Sequence, residues 1–123
     1  MQQEDKKKFI QEAKDRYYKI GAVSCPAFDG ELVYFNRHGW NHLFRKGRFV
    51  RDPEEQRKRL ELLKYVGYVL QRSIEVSKYI ENTINGHLGY FWTIQRYVDG
   101  ISIRIVIRQL NGGRKHFFSI MNE

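Results

Sequence analysis

The sequence predicts an α+β domain, with N-terminal helices followed by a four-stranded antiparallel β-meander. Three observations predict it. Apolar residues recur at helical spacing as far as Leu70. The periodicity then changes to two. The second half is punctuated by Asn85-Gly86, Asp99-Gly100 and Asn111-Gly112-Gly113, turn sequences that separate β-rich runs. The 123 residues suit one domain. It divides into an N-terminal helix and loop over 1–30 and an α+β core over 31–123.

The first helix is expected from Gln3 to Ile20, with Phe9, Ala13, Tyr17 and Ile20 on one face and Gly21 as its stop. Cys25-Pro26 and Asp29-Gly30 make a loop. Leu32 to Phe35 is a short β-like run. Asn36 suits the cap of a short helix from Arg37 to about Arg45, buried through Trp40, Leu43 and Phe44 and ended by Gly47. Asp52-Pro53-Glu54-Glu55 is the clearest helix start: Asp52 at the N-cap, Pro53 at the first helical position, Glu55 closing a capping box. That helix is expected to reach Leu70 on a stripe of Leu60, Leu63, Val66 and Leu70. Strands follow at about Ile74–Ile84, Tyr90–Val98, Ile101–Leu110 and Lys115–Met121.

The net charge of +8 is not spread evenly. Residues 1–31 hold six basic and six acidic groups, and residues 52–84 again hold six of each. Residues 32–51 hold five Lys/Arg and no acid, and residues 85–123 hold five against Asp99 and Glu123. The whole excess therefore sits in two segments. All four histidines, His38, His42, His87 and His116, lie in the same two. An unbalanced positive field repels itself and is matched by a polyanionic partner. Solubility alone does not account for the clustering.

The Asp99-Gly100 hairpin fixes a register of Val98 opposite Ile101, Arg96 opposite Ile103 and Ile94 opposite Ile105. Ile101, Ile103, Ile105 and Ile107 then share a core face. Ser102, Arg104, Val106 and Arg108 share the other, with Thr93, Gln95 and Tyr97 from the neighbouring strand. The final hairpin stays open. A two-residue turn pairs Arg108 with Lys115 and Arg104 with Ser119, whereas a three-residue loop pairs Arg108 with His116. Either brings some of Lys115, His116 and Ser119 beside the two arginines.

Histidine and cationic side chains are the parts that RNA transesterification needs. A base takes the 2′-hydroxyl proton, an acid protonates the departing 5′-oxygen, and Arg or Lys stabilises the phosphorane. His38 and His42 at i, i+4 also have metal-ligand spacing, but no Glu follows the first and no third ligand is placed by motif. No metal and no cofactor is expected. Some of Phe35, Trp40, Phe49, Phe91, Trp92, Tyr97 and Phe117 could stack on bases, while most belong in the core. No run of about 18 apolar residues predicts a transmembrane helix. The N-terminus lacks a signal-peptide core, and Cys25 stands alone, which together read as a cytoplasmic protein.

The string FNRHGWNHLFRKGRFVRDPEEQRKRLELL, followed by YFWTIQ, IRIVIRQ and KHFFSIM, resembles small phage- and toxin-associated domains of the barnase–EndoU–colicin–RelE (BECR) nuclease superfamily. The resemblance spans about residues 32–123. It implies helices before an antiparallel sheet and metal-independent RNA cleavage. It matches Gly39-Trp40-Asn41-His42-Leu43, Arg51 ahead of Glu55-Gln56, Arg108 on a late strand, and His116-Phe117-Phe118-Ser119. On it, His42 outranks His38. No glutamate of the barnase type can be placed, so the acid and base roles stay open. Toxin relatives imply a possible antitoxin or immunity protein.

The expected function is a metal-independent endoribonuclease acting on tRNA or other structured RNA. His42 and His116 are the acid/base candidates. Arg104, Arg108 and Lys115 would bind the scissile phosphate, with Ser119 hydrogen-bonding it. His38, Lys46, Arg51, Tyr97 and Thr93 would contact the rest of the RNA. The rivals are a non-catalytic RNA- or DNA-binding module using the same basic face and an interaction domain for an acidic protein.

Overall fold

The computed structural model describes residues 3–122. Helix α1 covers Gln3–Ile20, as the spacing predicts, and buries Ala13 and Tyr17 fully. After Gly21, whose φ of +68° turns the chain, strand β1 runs from Ala22 to Ser24. A 3-10 turn at Pro26–Phe28 returns the chain to β2, Leu32–Tyr34. The two strands pair antiparallel, with Val23 opposite Val33. Helix α2, Arg37–His42, is capped by the Asn36 side chain, which accepts from the Gly39 N–H at 3.1 Å.

Helix α2 stops at His42 and not near Arg45. Residues beyond it form a small hairpin, β3 (Arg45–Lys46) and β4 (Phe49–Val50), turned by Gly47 at φ +60°. Helix α3, Pro53–Leu62, begins on the Asp52 cap, whose carboxylate accepts from the Glu55 N–H at 2.8 Å. The capping box stays half made: the Glu55 carboxylate accepts from Arg59 Nε at 2.9 Å. The expected single helix to Leu70 is interrupted by a 3-10 turn at Leu63–Tyr65 before α4, Val66–Arg72. The tighter turn advances the helix face, so Leu62 joins Leu60, Leu63, Val66, Val69 and Leu70 in the core.

Four long strands follow: β5 (Lys78–Ile84), β6 (His87–Val98), β7 (Ile101–Leu110) and β8 (His116–Asn122). The expected meander is present, but it is not the whole sheet. The sheet has six strands in the order β1-β2-β8-β7-β6-β5. The additional pair joins through one parallel contact, Tyr34 beside His116, held by the Tyr34 N–H donating to the Lys115 carbonyl at 3.0 Å. The Asp99-Gly100 register is the predicted one from Val98–Ile101 through Gly89–Leu110. Ile103, Ile105 and Ile107 are fully buried, and Ile101 is half-buried. Strand β5 begins at Lys78, later than Ile74.

The last hairpin resolves to Arg108 opposite His116. A bulge then intervenes: Ile107 faces Phe117, but Val106 faces Ser119, leaving Phe118 as the extra residue. The bulge sets Arg104 opposite Met121 in place of Ile120, and the two-residue-turn pairing of Arg104 with Ser119 is not adopted. No helix among the described residues is long and apolar enough to cross a membrane.

Candidate functional site

Helix α2 packs on β8 through glycine. A Cβ on Gly39 would collide with the Phe117 carbonyl, the Phe117 ring and the Tyr17 hydroxyl. Tyr17 donates its O–H to the Asn36 carbonyl at 2.6 Å, pinning the cap residue. This close approach brings His38 and His42 over the end of the sheet that carries Arg108 and His116. The rings of His38 and His116 have centroids 6.3 Å apart, and His42 lies 4.1 Å from the Phe118 ring.

Each of the two central imidazoles is held by an arginine. Arg51 donates from Nε to the His42 carbonyl at 3.0 Å and places Nη2 3.2 Å from His42 Nδ1. A guanidinium only donates, so Nδ1 accepts and the neutral ring carries its proton on Nε2. Arg108 Nε donates to His116 Nε2 at 2.9 Å, which leaves that ring's proton on Nδ1. The Arg108 guanidinium also lies 4.6 Å from the centre of the Phe118 ring.

Both rings are driven towards the neutral form. His42 is pushed down to about 4, first by burial and then by Arg51, Arg59, Arg108 and Lys46. His116 is pushed down to about 4, first by burial and then by Arg108, against a hydrogen bond with the Arg114 backbone that acts the other way. A groove of about 510 Å³ opens beside His42, lined by His38, Asn41, His42, Arg45, Lys46, Gly47, Ile84, Phe91, Arg108 and Phe118, and His116 lines an adjoining groove that shares His38. None of the described residues lining the first groove is acidic.

The sequence-derived candidates divide. His38, His42, Lys46, Arg51, Arg108 and His116 come together. Arg104 and Thr93 line a neighbouring groove, where Arg104 Nη2 lies 2.7 Å from Met121 Sδ. Tyr97 is 74% exposed beside the β6–β7 turn, away from the histidines. Lys115 lies apart from the arginines and donates to Glu31 at 2.8 Å, beside the rings of Phe28 and Trp92. The alternation of β8 sends its side chain away from that of His116. Ser119 is buried, and its hydroxyl accepts from Arg59 Nη1 at 2.9 Å. The Ser119 hydroxyl, expected to hydrogen-bond a phosphate, is engaged by Arg59 in this structure.

Arg59 was not legible as a site residue. It is buried, bonded to Glu55, Ser119 and the Ile120 carbonyl, and it contributes to the positive field at His42. In the sequence it looks like one more charge on a mixed helix face. Phe118 was hidden by the bulge. Phe35, Trp40 and Phe117 are core, whereas Phe49 is 79% exposed on β4. Among the described residues, no group of three or more His, Cys, Asp or Glu is arranged to hold a metal ion. The chain matches no protein-family profile, no curated protein and no solved structure.

Proposed function

We propose that the protein is an endoribonuclease that cleaves RNA by attack of a 2′-hydroxyl on the adjacent phosphate, with its own side chains as acid, base and charge stabiliser. One observation carries the reading: His42, in a groove with no acid among its described lining residues, and His116, in the adjoining groove that shares His38 with it, are each held by an arginine. A neutral imidazole accepts the 2′-hydroxyl proton once its basic nitrogen, which takes an arginine N–H in this structure, is released from that hydrogen bond. Arg108 and Arg51 oppose the charge that builds on the phosphorane oxygens. A phosphodiester entering the groove offsets the cationic part of what depresses His42 and His116, burial being the larger part. One ring can then hold the proton that the 5′-oxygen needs as it leaves. Which ring is acid and which is base stays open.

The resemblance to BECR domains supports the same chemistry. It also suggests tRNA or other structured RNA as substrate, a toxin or phage-linked setting in the cytoplasm, and an antitoxin or immunity protein as inhibitor. A second reading, a non-catalytic RNA-binding module, draws on the arginine hydrogen bonds that occupy one nitrogen of each imidazole.

One experiment separates the two. The purified chain is incubated with total tRNA and a long single-stranded RNA in excess EDTA, beside a His42→Ala, His116→Ala variant. Discrete fragments ending in 2′,3′-cyclic phosphate, absent with the variant, are expected. Intact RNA that shifts on a gel supports the binding module instead.

A further inference from the structure

The phosphate groove does not end at Phe91. The ring that walls it also walls a second groove of about 490 Å³ on the same sheet face, in which Ile80, Val106 and Met121 supply further apolar surface. Around this surface stand Asn82, Thr93 and Gln95, the last donating from Nε2 to Ser102 Oγ at 2.8 Å, and Lys78 and Arg104, the latter with Nη2 2.7 Å from Met121 Sδ. No Asp or Glu is among the described residues that line this groove. Gly89 leaves room for the ring: a Cβ there would lie 3.2 Å from Phe91 Cε2. Phe91 is only half-buried and meets Phe118 edge-on, with centroids 5.5 Å apart at 77°.

An apolar surface with hydrogen-bonding groups at its edge and cations beside it suits a nucleotide. The base lies on the apolar surface, the amides and hydroxyl meet its edge, and the cations take the backbone. A paired base has its faces covered by its stacked neighbours, so the nucleotide must be unpaired.

We infer that the groove floored by Ile80, Phe91, Val106 and Met121 is a nucleobase subsite for an unpaired nucleotide adjoining the phosphate held at Arg108. The inference rests on the nucleic-acid reading above. It restricts the substrate to RNA that is single-stranded at the cut, such as a loop within a structured molecule.

The test uses wild-type protein and short fluorescent 2′-O-methyl RNA strands, which bind but have no free 2′-hydroxyl to react. Binding is read by anisotropy for an intact strand, for the same strand in a duplex, and for strands with one base removed at each position in turn. At one position, base removal is expected to weaken binding at least about fivefold. Phe91→Ala should weaken the intact strand similarly, and should have little further effect on that abasic strand. Phe91→Leu, which keeps the apolar packing, should also lose affinity.

Unchanged binding of the intact strand by both folded variants overturns the subsite, as does an abasic loss that simply adds to that of Phe91→Ala. Polyglutamate displacing the strand as well as RNA of equal charge also overturns it, and assigns the face to an acidic protein. The nuclease reading is judged separately by cleavage in EDTA. His42-dependent cutting with no Phe91 effect on binding defeats the subsite alone. Coupling between Phe91 and one base without cutting defeats the nuclease alone.

Discussion

Arg59 shows how a single side chain can support a site without entering it. Its guanidinium ties α3 to β8 through Ser119 and the Ile120 carbonyl, next to the bulge that exposes Phe118. Arg59→Ala would leave a buried hydroxyl and a carbonyl without this donor, and is expected to cost about 2–3 kcal/mol in denaturant unfolding. Arg59→Lys should recover only part, because an ammonium cannot reproduce the fork that reaches Glu55 and Ser119 together. The two imidazoles give a pH signature. Folded, they take protons near pH 4, and unfolded near the ordinary 6.5. Between those values the unfolded chain binds more protons. Stability therefore falls as pH drops from about 6.5 to about 4 and loses nothing further to these groups below that. Denaturation midpoints at pH 7 and about pH 5 should differ more for wild type than for a His42→Asn, His116→Asn variant. Arg51 and Arg108 were legible as candidates because their charge stands unbalanced in the sequence, and His42 and His116 because they lie in the same two basic segments and in motifs shared with the resembling family. Arg59 was not, because Glu55 at i−4 makes it look like a solvated helix pair.

Helix α2 is the element on which the histidine geometry depends. It is six residues long, too short to persist alone, and it is held by the Asn36 cap, the Tyr17 hydroxyl and the close seat of Gly39 on Phe117. Gly39→Ala should push the helix off β8. An overpacking cost of about 1–3 kcal/mol is expected as a lowered melting temperature, with RNA cleavage falling further than stability does. Caps were readable at this scale: Asn36 and Asp52 act where the sequence puts them, because capping is a local hydrogen-bond pattern. The β7 face was readable for a similar reason, since Asp99-Gly100 sets the parity of both flanking strands. The bulge was not. One extra residue in β8 shifts the facing pairs beyond it, and nothing in Phe117-Phe118-Ser119 announces which residue is extra.

For the whole molecule, the charge distribution survives folding as geometry. The two basic segments, far apart in sequence, meet across the α2–β8 contact, and the charge-balanced stretches supply α1, α3 and α4. That meeting was implied by the clustering of His and Lys/Arg. The six-stranded sheet was not, because β1 and β2 are three residues each, too short to show a period, and their partner lies more than 80 residues along the chain. The sheet order has a further consequence. Strand β8 lies between β2 and β7, yet it is made after every other strand. A chain emerging from the ribosome thus carries β1–β2 and β5–β6–β7 as two unjoined pieces of sheet, and β8 is the strand that joins them. His116, Phe118 and the Ser119 anchor for Arg59 all arrive with that strand. Until then the nascent chain, already surrounded by RNA, holds one histidine of the proposed pair without the other.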